Sequence, residues 1–428
     1  AVFCKADVRF SHDYVTPMAA SIFATDFGAE TPLRDPASIY AFRDHLTFLE
    51  DVMPEEKKAQ GLLQLADDLA TVQEHFCAVH GIRLYGEVAS GGSEAICHNA
   101  IVEEIALPGQ LVVGTDSHTC TAGALGCFAF GVGSTDIANA WYTGDVRVTV
   151  PETLKVVLKG KLPSDSVAKD IMLALMSDPY FRQGRAIGQV IEFEGRVVES
   201  LSIDERATLT NMAVEAGATT AFIPADARTR EHVRHTRSDA QWQEYASDPD
   251  AHYASTLELD VSALAPMVAT PGDPRNGRPI AQLPDPVPID IAYGGSCTGG
   301  KDEDMDQYAQ VFSRARELGM GLAPGVRCFI QFGSQRVKAR AEAKGYVELF
   351  QSMGACLVNP SCGACIKAGP GVSVREDEVT VSAINRNFPG RSGPGQVYLT
   401  SPKVVAASAI AGRIITPTDL FEPAIRGA

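Results

Sequence analysis

Several features are scarce in this chain, and each scarcity excludes a class. No block of lysine or arginine is long enough to track phosphates, and 37 basic residues stand against 53 acidic ones, a formal net charge of −16. That balance disfavours a nucleic-acid surface. No run approaches the roughly 20 apolar residues that a membrane helix needs. The opening segment AVFCKADVRF has neither a basic n-region nor an apolar h-region, so a cytoplasmic location is expected. The chain begins on Ala1 and not on Met, and further residues ahead of it are expected. No fixed-period repeat or low-complexity tract is present, which sets aside a repeat architecture. Ten cysteines in 428 residues are too few for a disulfide-built fold. Cys97, Cys127, Cys328 and Cys356 stand singly in apolar runs and are expected to be small core residues.

What is present describes a folded α/β protein. Hydrophobic residues make up 45% and charged ones 21% of the chain, and its length exceeds one ordinary core, so two to three units are expected. Amphipathic helical windows such as QGLLQLADDLATVQEHFCAVHG alternate with β-rich runs such as QLVVGTD, a rhythm that predicts α/β layers. Near residue 150 the alternating RVTVPETLKVVLKGKLP marks a new unit. Residues 265–288 are Pro-rich and polar and are read as a linker or wrapping segment. The expected division is therefore 1–150, 151–264 and 265–428. The third unit opens with IDIAYGGSCTGGKDEDMDQYAQVF, a buried strand, a Gly-rich turn and an acidic helix start.

Five groups of residues carry chemistry. Cys297 lies in the strand-to-helix turn GGSCTGG, the usual place for ligand sites in α/β sheets, where glycines let backbone N–H groups approach a ligand. With Cys362 and Cys365 in VNPSCGACIKAGPGV it forms C-x64-C-x2-C. Such thiols suit zinc, a redox couple or part of an iron–sulfur site. In GTDSHTCTAGALGCFAFGVGSTD, Asp116, Ser117 and His118 follow an apolar strand and precede a Gly/Ala-rich stretch able to pack hard against another backbone. They read either as an acid/base group or as a helix cap beside a satisfied histidine. FRDHLTF supplies Asp44 and His45, and EAICHNAIVEE supplies His98. NMAVEAGATT places Asn211 and Glu215 one helical turn apart on one face. AINRNFPGRSGPG puts Arg386 and Arg391 in a Gly/Pro loop, as fork-to-carboxylate binding of a di- or tricarboxylate requires.

Taken together, GTDSHT, SCT, NP-x-C-x2-C and NRNF-x-GR resemble the aconitase superfamily, and within it the large-subunit proteins of the isopropylmalate dehydratase and homoaconitase type. The matching segments run from Asp44 to Arg391. The resemblance implies three α/β/α domains around a [4Fe–4S] cluster held by Cys297, Cys362 and Cys365, without the fourth, swivelling domain of single-chain relatives. It implies reversible dehydration of a small anionic hydroxy acid, foremost the interconversion of 3-isopropylmalate and 2-isopropylmalate through an enoate. By the same resemblance Asp44 pairs with His45, Asp116 with His98 and Glu215 with His118 as acid/base sets. His12, Ser117, Arg386 and Arg391 are expected to bind substrate, and Asn211 and Asn385 to support the cluster. The chain stops soon after SPKVVAASAIAGRIITPTDLF, where the third domain is expected to finish, so a separate small subunit is expected to carry the swivel domain. Gly299 stands where the family usually has Asn, and Tyr14 after His12 and Asp13 is unusual; both leave homocitrate, dimethylmalate, methylmalate and maleate as alternative substrates. A cluster-dependent RNA-binding protein and a structural zinc protein are the rivals from other classes.

Overall fold

A computed structural model describes the backbone of residues 1–426 and the side chains of residues 1–422. It divides into two compact units, one of residues 1–157 and 186–257, the other of residues 158–185 and 258 onward. No helix among the described residues is long and apolar enough to cross a membrane.

The first unit is organised by a five-stranded parallel sheet in the order Arg83–Tyr85, Ile39–Phe42, Val8–His12, Leu111–Gly114, Phe128–Gly131. Val8–His12 is buried along its whole length, as a central parallel strand covered on both faces must be. The chain runs outward from it on one side through Ile39–Phe42 and on the other through Leu111–Gly114. The order reverses at this strand, and α/β sheets bind ligands at the carboxyl ends beside such a reversal. His12, Asp44 with His45, and Asp116 all lie at or just beyond those ends. The helix Leu62–His80 buries Ala66, Ala70, Gln73, Phe76 and Cys77, one face at helical spacing, and stops at Gly81 in the left-handed region.

A four-stranded sheet follows, in the order Thr220–Phe222, Val190–Glu194, Thr153–Lys159, Ser255–Asp260. Residues of TLKVVLK alternate between half-buried and buried, as their sequence predicts. The helix Ile203–Asn211 and the strand Thr220–Phe222 hold the segment Ser117–Leu125, which is a 3-10 helix of nine residues. That is long for a 3-10 helix, whose strained bonds need outside support. Support comes from Thr210, whose Oγ1 donates to the Thr121 carbonyl at 3.0 Å, and from the Ile223 N–H, which donates to the Gly123 carbonyl at 3.0 Å. A Cβ on Gly123 would stand 1.9 Å from the Ala221 carbonyl oxygen. Gly123→Ala is therefore expected to destabilise this unit by about 3 kcal/mol, read as a lowered urea midpoint; a midpoint equal to the parent's would refute the close approach.

The second unit is built on a seven-stranded sheet in the order Gly277–Pro279, Met267–Ala269, Gln396–Thr400, Val379–Ser382, Ile291–Gly294, Arg327–Gln331, Cys356–Val358. The last five run parallel to their neighbours, and the first two are antiparallel. Ile291–Gly294 is again a fully buried strand at a reversal of order, with Cys297 just beyond its end. Its core gathers Met305, Tyr308 and Phe312 from the helix Asp302–Glu317 with Val404, Val405 and Ile410 from the helix Pro402–Ala411.

Three expectations look different in the structure. Residues 265–288 supply the two antiparallel strands at one sheet edge. Cys356 is exposed, because it opens the opposite edge strand, whereas Cys97, Cys127 and Cys328 are buried. Asn211 and Glu215 do not share a helix: it ends at Asn211, and Met212–Gly217 continue as turns with Gly217 at φ 91°. The five-, four- and seven-stranded sheets fall within residues 1–150, 151–264 and 265–428, while the compact units divide the middle segment between them.

Candidate active site

In the first unit a half-buried carboxylate, Asp116, gathers imidazoles. Its Oδ1 accepts the His118 N–H at 2.7 Å and lies 2.9 Å from His98 Nε2 and 3.1 Å from His118 Nδ1. Its Oδ2 lies 3.6 Å from His45 Nε2. Burial would raise Asp116, but the attraction of His98 and hydrogen bonds from His118, His45 and His98 hold it well below the usual carboxylate range. Each ring has a second anchor or a closed end. His118 Nε2 meets Glu215 Oε1 at 2.9 Å, and His45 Nδ1 meets Asp44 Oδ1 at 2.7 Å. His98 Nδ1 is buried without a hydrogen-bond partner. A carboxylate on one nitrogen fixes the tautomer and raises the basicity of the other.

Asp44 has no exposed surface, and its Oδ2 accepts the Cys97 N–H at 2.8 Å. Burial works against its charge, yet His45 and that N–H overcome it and bring Asp44 to about 2. The helix Cys97–Ala100, which carries His98, widens at once into a π-helical turn over Ile101–Ile105, a form concentrated at functional sites. His12 lies flat on His45, with ring centroids 3.8 Å apart. Burial, and then the neighbouring His45, push His12 down to about 3, so it is a neutral ring at pH 7. Asp13 accepts N–H groups of His45 (3.2 Å), Tyr14 (3.1 Å) and Leu46 (2.9 Å), and burial still lifts it to about 6. Thr115, Asp116, Ser117, Phe130, Val214 and Thr219 line a cleft of about 820 Å³ in this unit. Asn211 donates from Nδ2 to Thr121 Oγ1 at 2.8 Å, so it and Glu215 both hold the 3-10 helix that presents Ser117 and His118.

In the second unit three cysteines come from two loops. Cys297 and Cys365 are buried and Cys362 is half-buried. Asn385, fully buried in the loop after Val379–Ser382, touches two sulfurs with one carboxamide. Its Nδ2 donates to Cys297 Sγ at 3.5 Å, and its Oδ1 accepts from Cys365 Sγ at 3.3 Å. Lys169 Nζ donates to the Ala383 and Ile384 carbonyls at 3.2 and 2.6 Å, which fixes the backbone leading to Asn385. Arg391 Nη2 lies 3.9 Å from Cys365 Sγ, and its buried Nε has no hydrogen-bond partner; Arg386 is half-buried in the same loop. Soft sulfur donors, a buried amide on two of them and a guanidinium beside one of the same two fit an anionic iron–sulfur group. Gly299 has a structural cause: a Cβ there would meet Ala383 Cβ at 2.7 Å and the Tyr308 hydroxyl at 3.1 Å.

Sequence reasoning missed Gln331 and Tyr293, which hold the cysteine loops, and Lys169, which holds the backbone before Asn385. Gln331 and Tyr293 are each a lone polar residue in an apolar run, Lys169 is an ordinary charged position beside Asp170, and none carries a local signal. It also left Asp13 without a role, although its place next to His12 marked it.

A family model described as the Aconitase family (aconitate hydratase) matches residues 2–412. The chain belongs to the aconitase family, and it is a hydro-lyase of that family. It is 39% identical over 425 residues to the 3-isopropylmalate dehydratase large subunit 1 of Pyrococcus furiosus, covering 98% of this chain and 94% of that one. It is 37% identical over 423 residues to the 3-isopropylmalate dehydratase large subunit of Aquifex aeolicus, with 98% and 93% covered. Against the chloroplastic large subunit of Arabidopsis thaliana the identity is 36% over 443 residues, with 98% and 83% covered. Among solved structures, aconitase X of Thermococcus kodakaraensis in its holo-form shares the fold at a TM-score of 0.50 and 13% identity, covering 90% of this chain and 84% of that one.

Proposed function

We propose that this chain is the large, cluster-bearing subunit of a hydro-lyase that interconverts 3-isopropylmalate and 2-isopropylmalate through the enoate. The observation that carries the reading is the thiol set: Cys297, Cys362 and Cys365, with Asn385 on two of the three sulfurs. Three thiols leave one corner of a [4Fe–4S] cluster without a protein ligand, unlike electron-transfer clusters closed by four. When bound, such a cluster supplies a Lewis-acidic iron that polarises the substrate hydroxyl.

The chain's own residues supply the rest. In the second unit Arg386 and Arg391 are the carboxylate-binding residues; in the first, Ser117 and the neutral His12 are the polar substrate contacts. Hydroxide is a poor leaving group, so an acid must deliver a proton to it. The histidines anchored on Asp44, Asp116 and Glu215 hold and move that proton, because each carboxylate stabilises the protonated ring in a fixed orientation. The relatives are named large subunits, and this reading gives the present chain a separate small subunit that carries the swivel domain and the base for the carbon-bound proton.

The test is anaerobic reconstitution with iron and sulfide, co-purification with the small subunit, and absorbance at the enoate band across isopropylmalate, homocitrate, dimethylmalate, methylmalate and maleate. The expected result is turnover of isopropylmalate by the complex and none by the large chain alone. Turnover of another acid would move the substrate assignment, and zinc without acid-labile sulfide would end the cluster reading. Cys297→Ser is expected to lower iron and sulfide content after reconstitution to less than half of the parent's; an intact cluster in that variant would remove Cys297 from the ligand set.

A further inference from the structure

Gln331 ends the strand Arg327–Gln331, which lies between Ile291–Gly294 and Cys356–Val358 in the sheet. The two flanking strands lead into the two cysteine loops. Gln331 has no exposed surface, and both ends of its carboxamide are used. Oε1 accepts the Ser296 N–H at 3.0 Å and the Tyr293 hydroxyl at 2.8 Å. Nε2 donates to the carbonyl and the hydroxyl of Ser361, both at 2.9 Å, and to the Asn359 carbonyl at 3.4 Å. The orientation of the amide follows from its partners, since a peptide N–H only donates and a peptide carbonyl only accepts. Ser296 immediately precedes Cys297, and Ser361 immediately precedes Cys362. One side chain thus ties together the backbone of both loops.

The surrounding backbone is shaped to this contact. A Cβ on Gly295 would meet Gln331 Cβ at 2.5 Å, and one on Gly363 would meet Gln331 Nε2 at 2.9 Å and the Tyr293 hydroxyl at 3.1 Å. Ser296, a non-glycine residue, sits at φ 66° and Gly363 at φ 49°. A left-handed serine persists only where its surroundings over-determine it, and here its N–H is held by Gln331.

We propose that Gln331 is a positioning residue: a strut that sets Cys297 against Cys362 and Cys365 before any cluster arrives and so slows cluster loss afterwards. The proposal rests on the reading that these thiols hold an iron–sulfur cluster. Gln331→Met keeps the bulk of the side chain and removes all of its amide bonds; Tyr293→Phe removes one of them.

The first measurement uses the full, cluster-free chain, alkylated with iodoacetamide and followed cysteine by cysteine by mass spectrometry. Cys297 and Cys365 are expected to react about tenfold faster in Gln331→Met, with Tyr293→Phe between it and the parent, while Cys328 in the same sheet keeps its slow rate. The second uses the reconstituted chain: bleaching of the visible iron–sulfur absorbance by a chelator is expected to be about tenfold faster in Gln331→Met. An unchanged rate in either measurement overturns the proposal. Equal acceleration at Cys328 also overturns it, because that would be general loosening of the sheet. A parent chain that takes up no cluster refutes the cluster reading alone, and alkylation still decides the strut. Should Gln331→Met be recovered only unfolded, Tyr293→Phe is judged by the same two rates.

Discussion

Asp116→Asn is expected to lower turnover of the reconstituted complex by about a thousandfold or more, with the cluster retained and the melt lowered by the loss of this charge. The substitution keeps size and shape, so packing changes little. It removes the charge on which His98 and His118 converge at 2.9 and 3.1 Å, and which His45 approaches at 3.6 Å. An amide also offers one acceptor oxygen where the carboxylate offers two, and its NH₂ opposes any ring nitrogen that carries a proton. The histidines then lose the partner that stabilises their protonated form, and a proton donor to the leaving hydroxide becomes costlier to charge. The check is the enoate absorbance assay beside iron content and a thermal melt of the same preparation. Turnover within tenfold of the parent, with the cluster intact, would remove Asp116 from the acid/base machinery.

Acid is expected to leave the contribution of this histidine–carboxylate group to stability nearly level from about pH 6 to pH 4 and then to remove it steeply. His12 sits at about 3 when folded against 6.5 unfolded. Unfolding takes up its proton between those values, so this group lowers stability as pH falls. Asp13 sits at about 6 against 3.8; the folded chain keeps a proton that the unfolded chain releases, so this group raises stability as pH falls from 6 to 3.8. The two effects oppose each other in that window. Below 3.8 Asp13 is protonated in both states and its effect ends. Asp44, at about 2, and Asp116, held well below 3.8, are then still ionised when folded and protonated when unfolded. Their contribution is complete above 3.8 and is lost as pH falls through their folded values. Near pH 3.5 these three groups act together but each only in part, about two protons in all, and at about 1.4 kcal/mol per pH unit for each proton the slope reaches about 3 kcal/mol per pH unit.

Both tryptophans, Trp141 and Trp242, belong to the first unit, so urea unfolding followed by their fluorescence reads this unit. Asp13→Asn supplies the contrast. Without the opposing carboxyl, stability should fall between pH 6 and pH 3.8 by about 1.4 kcal/mol per pH unit relative to the parent. Superimposable profiles for parent and variant between pH 6 and 4 would sink this assignment of charges.

Much of the site could be named from the sequence because its residues follow short apolar strands. GTDSHT comes directly after LVV, SCT after IDIAYGG, and NRNF after a β-rich run; a strand end beside a tight turn is a local feature. The α/β class was legible for the same reason, as helical and alternating periodicities lie within windows of ten to twenty residues. The pairings of Asp44 with His45, His98 with Asp116 and His118 with Glu215 came from family resemblance, and their separations of 2.7 to 2.9 Å belong to the structure.

What only the tertiary structure decided lies between segments far apart in the chain. His118 meets Glu215 across 97 residues, and Asn385 reaches Cys297 across 88. Gln331 binds Ser296 and Ser361 because sheet order places its strand between theirs, and strand order is set by long-range packing. Gly123 and Gly299 are glycines because Ala221 and Ala383 stand where a side chain would be. The shifted pKa values of His12, Asp13 and Asp44 are of the same kind: burial and neighbouring charge set them, and both depend on how distant segments pack.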